Sequence, residues 1–159
     1  MRHRRNPAAA AEIEMRWAPN KSDFKFQFLP TKNIQDQDQK PVHIALNDCA
    51  RFINTVCNTI AQYLQLVEMP IKIKLSLDPT STSTKSKCTF DDAEGVYEIE
   101  LQLNGSKVGD LTTLKDELLP ELLNNLIFVF EDCQLLEDDE LVTVDDLMFI
   151  LVDSGIIKV

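Results

Sequence analysis

Glycine and histidine are scarce in this chain, and its cysteines do not come in pairs. Four glycines in 159 residues leave little material for a loop that cradles phosphate. The one stretch of suitable composition, 104–109, holds Gly105, Ser106, Lys107 and Gly109 but lacks the GxxxxGK[ST] order. It reads as a turn from a strand into a helix. The two histidines are His3 and His43, and no HExxH pair exists to hold zinc. Cys49, Cys57, Cys88 and Cys133 form no CxxC motif. The first two stand eight residues apart on a predicted helix, two turns from one another and too far to bridge. Scattered cysteines in a long acidic chain read as thiols in a reducing compartment.

A cysteine nucleophile needs a base. His43 is the only histidine inside the domain, and it lies six residues before Cys49 on a different helix face. A tertiary contact of His43 with Cys88 or Cys133 is left open. The simpler expectation is thiols that behave as small apolar groups. No catalytic residue, metal ligand or cofactor is expected.

Long apolar runs are also absent. No clean apolar run, 126–130 among them, comes near the roughly 20 residues of a membrane span. The basic start of the chain lacks the apolar stretch of a signal peptide, because Glu12 and Glu14 interrupt 8–11. These features give the expectation of an intracellular, cytoplasmic protein with no membrane contact. At 44% apolar and 26% charged residues, the composition is that of a globular fold.

The scarcity that says most concerns positive charge in the second half. From residue 91 onward, Lys107, Lys115 and Lys158 face 18 acids, a net charge of −15. Residues 1–90 carry 13 Lys or Arg against eight acids, a net +5. Such polarity constrains partners more than fold. Phosphates would be repelled, so direct nucleic-acid binding by the acidic domain is not expected. Acid pairs such as Asp116/Glu117 and Glu131/Asp132 support no acid–base assignment, since in this segment any two acids fall close by chance. Calcium fares no better. An EF-hand loop with Gly95 at its sixth place would begin at Phe90, which cannot ligate.

Periodicity supplies the elements. Residues 1–21 form a basic, alanine-rich arm whose Trp17, the only tryptophan, is expected to dock on the domain or on a partner. Phe24, Phe26 and Phe28 alternate with polar residues and predict a strand near 24–29. Residues 31–41 read as a polar linker. Leu46, Cys49, Ile53, Val56, Ile60, Leu64 and Val67 make one stripe and predict a helix near 43–67. Its opposite face (Asn47, Asn54, Asn58, Gln62, Gln65) is polar but uncharged, as on a helix half covered by another element.

Strands are predicted near 71–77 and 96–103, the first with Lys72 and Lys74 outward, the second with Glu98 and Glu100. Antiparallel pairing across 78–95, with 80–87 a loop, would bring these charges together. Helices follow near 113–133 and 144–153. Thr113 with Asp116 and Thr143 with Asp146 resemble caps, Pro120 should kink or restart the first helix, and Gly155 should stop the second. Residues 156–159 form either a last strand or a docked tail. The sum is an α+β fold with a mainly antiparallel sheet, divided as an arm (1–21) and one acidic domain (22–159).

The function this composition supports is a non-enzymatic binding module, an adaptor or inhibitor. Its acidic half would engage a basic protein, as a nucleic-acid mimic if the target is a nucleic-acid enzyme. The expected contact residues are Glu137, Asp138, Asp139, Glu140, Asp145 and Asp146, with Trp17 as anchor. One alternative is an assembly subunit that forms homo-oligomers when its basic arm docks on a neighbour. Another is a degenerate zinc-protease-like scaffold, because helix, hairpin, helix is the order of small zinc proteases. The corresponding helix, 116–125, has acids but no histidine.

Overall fold

The computed structural model describes residues 10–18, 23–32, 36–66, 69–133 and 142–158, with 10, 18, 23–32 and 36 described as backbone. The element order is β1 (Ala10–Ala18), β2 (Asp23–Lys32), α1 (Asp36–Tyr63), β3 (Ile71–Asp78), β4 (Lys85–Asp91), β5 (Val96–Asn104), a single 3₁₀ turn (Gly105–Lys107), α2 (Leu111–Asp132) and α3 (Val144–Asp153). One five-stranded sheet runs in the order β2-β1-β3-β5-β4. The fold is α+β, with three helices on the sheet. All strand pairs are antiparallel except β3 with β5.

The expected arm supplies the second strand of that sheet. In β1, Ala11, Ile13, Met15 and Trp17 are buried, while Glu12, Glu14 and Arg16 lie on the opposite side. That is the period-two alternation of a half-buried strand. β1 pairs with β2 on one side and β3 on the other, so residues 10–18 are core and not a loose tail. Trp17 docks on its own domain.

A second correction concerns strand direction. Lys72 does lie beside Glu98, and Lys74 beside Glu100, but β3 and β5 run parallel. The charge match is indifferent to direction, since opposite side chains meet in either ladder. Residues 85–91, whose first three fall in the expected loop, form β4, and the hairpin partner of β5 is β4. At the turn, the Asp91 carboxylate accepts from the backbone N–H of Ala93 and Glu94, at 3.0 and 3.2 Å. Gly95 takes a positive φ of 70° there, which costs glycine little.

Helix α1 begins at Asp36, inside the expected linker. Its polar first turns precede the core stripe, and Pro41 lies exposed inside the helix. The stripe is as read from Leu46 to Ile60, where Leu46, Cys49, Ile53, Val56 and Ile60 are fully buried, but the helix ends at Tyr63, short of Leu64, and Val67 lies outside the described residues. Of the polar face, Asn47, Asn54 and Asn58 are half-buried, in keeping with α2 and α3 packed against this helix, whereas Gln62 and Gln65 are exposed.

Helix α2 is capped by Asp110, whose carboxylate accepts from Thr113 N–H at 3.1 Å. The cap is therefore three residues earlier than the Thr113–Asp116 reading. The helix continues through exposed Pro120 without a break. Helix α3 has the expected capping box between Thr143 and Asp146. Past α3, Gly155 (φ 81°) donates to the Val152 carbonyl and Ile156 to that of Leu151, a Schellman stop. Ile156 and Ile157 then pack on the core and form no strand. Of the two alternatives for this segment, the docked tail is correct.

Candidate functional site

On the outer side of the sheet, the side not covered by helices, charges of both signs interlock. Arg16 bonds Glu14 and Glu94, each at 2.7 Å. Lys72, only 6% exposed, has Asp91, Glu94 and Glu98 at 3.7, 3.5 and 3.6 Å. Lys74 bonds Glu98 at 3.0 Å, and Lys87 lies 3.9 Å from Glu100. Bonding to Arg16 holds the Glu94 carboxyl below its ordinary range, and bonding to Glu98 raises the Lys74 ammonium. This surface is electrically satisfied. A depression of about 420 Å³ beside Glu12, Lys74, Lys85 and Glu100 is lined by both signs.

The helical side differs. Among the described residues, every carboxylate in an ion pair lies at or before Glu100: Glu14, Asp48, Asp91, Glu94, Glu98 and Glu100. None of the nine described acids beyond residue 100 is paired with a lysine or arginine. Lys115 is no exception, because it serves Asp48 at 2.6 Å. The acid-rich half is thus two populations, one neutralised by the sheet lysines and one uncompensated on α2, α3 and their flanks.

One row of α2 faces the edge strand β4. Glu117, Glu121, Asn125, Phe128 and Asp132 recur every three or four residues and so share a helix face. Their partners are neutral. Thr84 donates to Glu117 at 3.2 Å, as does Asn104 Nδ2 at 3.1 Å. The Ser86 hydroxyl donates to Glu121 and accepts from Asn125 Nδ2 at 3.0 Å. The Tyr97 hydroxyl donates to Asp132. Its ring stands edge-on to Phe90, 4.9 Å between centroids, and to Phe128, 6.3 Å. Phe90 and Phe128 are each about half exposed, at 50% and 48%. The row is therefore an acidic flank that ends in an exposed aromatic patch.

Of the residues expected to bind a partner, Asp145 is exposed in the first turn of α3 and Asp146 closes the capping box through its carboxylate. Trp17 is 8% exposed within the core. Glu137, Asp138, Asp139 and Glu140 lie outside the described residues. The acidic row on α2 escaped the sequence reading because only the position of β4 distinguishes it from the other acids.

Thiol chemistry finds no support in the surroundings of the cysteines. Burial pushes the Cys49 thiol up to about 12 and the Cys57 thiol higher still, and it raises Cys88 as well, with Asp132 adding to the effect. His43 is exposed. Among the described residues no group of three or more His, Cys, Asp or Glu could hold a metal ion, and no helix is long and apolar enough to cross a membrane. Comparison with models of known families, with curated proteins and with solved structures returns no match.

The Tyr97–Asp132 bond gives a pH signature. Donation to Asp132, reinforced by burial and by the charge of that carboxylate, pushes the phenol up from 10 to about 12. A group whose folded value is raised stabilises the fold fully below its unfolded value and loses that contribution as pH rises through the folded one. The window here is about pH 10 to 12. Tyr97→Phe should be less stable than the parent at neutral pH, and the gap should close across that window. Urea midpoints measured from pH 7 to pH 12 check this. A gap independent of pH would mean that the hydroxyl contributes nothing through Asp132.

Proposed function

We propose that this protein is a non-enzymatic binding module, an adaptor or inhibitor, whose acidic helical half engages a basic protein surface. The observation that carries the reading is the sorting of ion pairs. Carboxylates that the fold pairs with lysine or arginine end at Glu100, and the described ones beyond it bond neutral groups or none. Uncompensated like charges repel one another within the folded chain. A cationic partner relieves that repulsion and is steered toward it. Carboxylates in this number also resemble a phosphate backbone, which fits an inhibitor of a basic nucleic-acid enzyme.

Asp116, Glu131 and Asp153 are exposed and make no bond that the fold needs, so they can be neutralised without disturbing it. The triple variant Asp116→Asn, Glu131→Gln, Asp153→Asn should bind the basic partner about three- to a hundredfold more weakly, at about 0.2–1 kcal/mol per exposed pair. The matched control Glu12→Gln, Asp92→Asn, Glu100→Gln removes the same formal charge from the sheet side and its hairpin, and should change little. The same comparison applied to 137–140 tests those four acids. Partner isolated from the native host and titrated calorimetrically at low and high salt supplies the measurement. Binding indifferent to salt and to both triples would overturn the reading.

A further inference from the structure

Strand β4 is the last in the sheet, and β5 is its only pairing partner among the described residues. Its seven residues pair in unbroken register, from Lys85 opposite Gln102 to Asp91 opposite Val96. An edge this long and regular is a template for another strand unless something guards it.

The direction of its free groups follows from one bond. Tyr97 N–H donates to the Pro70 carbonyl at 2.7 Å, so odd-numbered residues of β5 address β3. Even-numbered ones therefore address β4, and their partners Lys85, Lys87, Thr89 and Asp91 spend their backbone groups on β5. By the alternation of an antiparallel ladder, the backbone N–H and C=O of Ser86, Cys88 and Phe90 point away from the sheet.

The surroundings of that edge discriminate between occupants. On the helical side stand Glu117, Glu121 and Asp132, then the exposed rings of Phe90 and Phe128. On the outer side stand exposed Lys85 and Lys87. A second copy of this chain would bring its own α2 carboxylates against these, like charge to like. A strand with basic side chains on its helix-facing side meets opposite charge instead.

We infer that β4 accepts an extended segment of the basic partner as a sixth strand. Alternate lysine or arginine side chains lie along the α2 carboxylates, and an apolar residue sits on Phe90 and Phe128. This mode of recognition takes its affinity from main-chain bonds and its specificity from alternate side chains. The inference rests on the reading above and adds the conformation of what is bound.

A peptide that alternates lysine with threonine and carries valine at its amino end presents the required face to an antiparallel edge. An isomer of the same composition with its lysines contiguous has the same charge and no such face. The alternating peptide should bind at least about tenfold tighter by fluorescence anisotropy. Cys88→Pro removes the central outward N–H and no sheet bond, a position where edge strands tolerate proline. It should reduce the alternating peptide to the level of its isomer, whereas Cys88→Ala should leave it unchanged. In the unaltered protein, the amides of Ser86, Cys88 and Phe90 should gain protection from hydrogen exchange when the peptide is bound, a readout that survives any misfolding of the proline variant.

Equal binding by the two isomers, including none by either, overturns strand addition, as does an edge whose amides gain no protection. The triple charge variant fails separately. If it weakens both isomers alike, the charge reading stands without the strand. If it weakens neither while the alternating peptide still prefers the edge, strand addition stands and the charge reading falls.

Discussion

A chain truncated to begin at residue 19 should not fold, while one beginning at residue 10 keeps every contact described above. Ala11, Ile13 and Met15 are at most 1% exposed and Trp17 is 8% exposed. Removing a buried isoleucine or methionine side chain costs about 2–5 kcal/mol, and a tryptophan about 3–5. Those costs together reach the net stability of a domain, about 5–15 kcal/mol. The loss extends beyond side chains, because among the described residues β2 pairs only with β1 and would be detached with it, and β3 would become an edge. Circular dichroism should show no cooperative thermal transition in the shorter chain. A cooperative transition would mean that β1 is dispensable. Deletion of residues 1–21 therefore cannot test assembly through the arm, since it removes a strand of the sheet together with any docking segment. Only a deletion confined to residues 1–9 addresses that alternative without touching β1.

The misreading of β1 shows what the sequence offered and what hid it. Ala11, Ile13, Met15 and Trp17 alternate with Glu12, Glu14 and Arg16 as cleanly as Ile71–Leu77 alternates with its lysines. The basic start and the alanines suggest an arm by composition, while the strand is marked by the period of two alone. β4 was hidden for another reason. Its inward residues are Ser86, Cys88 and Phe90, so no aliphatic alternation announces a strand that exists because β5 pairs with it. Direction was illegible in principle: Lys72/Glu98 and Lys74/Glu100 meet whether β3 and β5 run parallel or antiparallel. The helices, by contrast, follow from stripes and caps that act locally, and the core of α1, the Thr143–Asp146 box and the Gly155 stop are where the periodicity placed them. Of the candidate site, the surplus of anions could be read directly. Its division into compensated and uncompensated sets could not, because that depends on which acids the sheet brings beside Lys72, Lys74 and Lys87.

Replacing Gly105 with alanine should destabilise the fold by about 3 kcal/mol, at the upper end of what overpacking costs. A Cβ on Gly105 would lie 1.9 Å from the Asp78 carbonyl oxygen and 2.8 Å from the carbonyl carbons of Asp78 and Pro79. All three are backbone atoms, so no rotamer change relieves the clash. The crowding arises from topology. β3 and β5 are parallel neighbours, so their carboxyl ends lie together, and the chain leaving Asp78 must cross the end of β5 to reach β4. Ser81 pins that crossing: the Asp78 and Leu103 carbonyls, 2.8 and 2.9 Å from its hydroxyl, share its one proton, and the oxygen accepts from Gly105 N–H at 2.8 Å. At Gly109, which follows the same turn, a methyl group would meet no atom within 4 Å. Gly109→Ala should be neutral or stabilise by about 0.4–1 kcal/mol through the unfolded chain. Chemical denaturation of the two variants side by side checks the contrast, and equal effects would mean that the crossing is looser than its bonds imply. The neighbour Asn104 carries the consequence to the acidic flank. Its Oδ1 accepts from Ser106 N–H at 3.1 Å while its Nδ2 donates to Glu117 at 3.1 Å, so any shift that relieves the clash also moves the first carboxylate of the row. Gly105→Ala protein examined well below its melting temperature should therefore hold the alternating peptide less tightly than Gly109→Ala protein does, although neither residue lies on the edge strand or on α2.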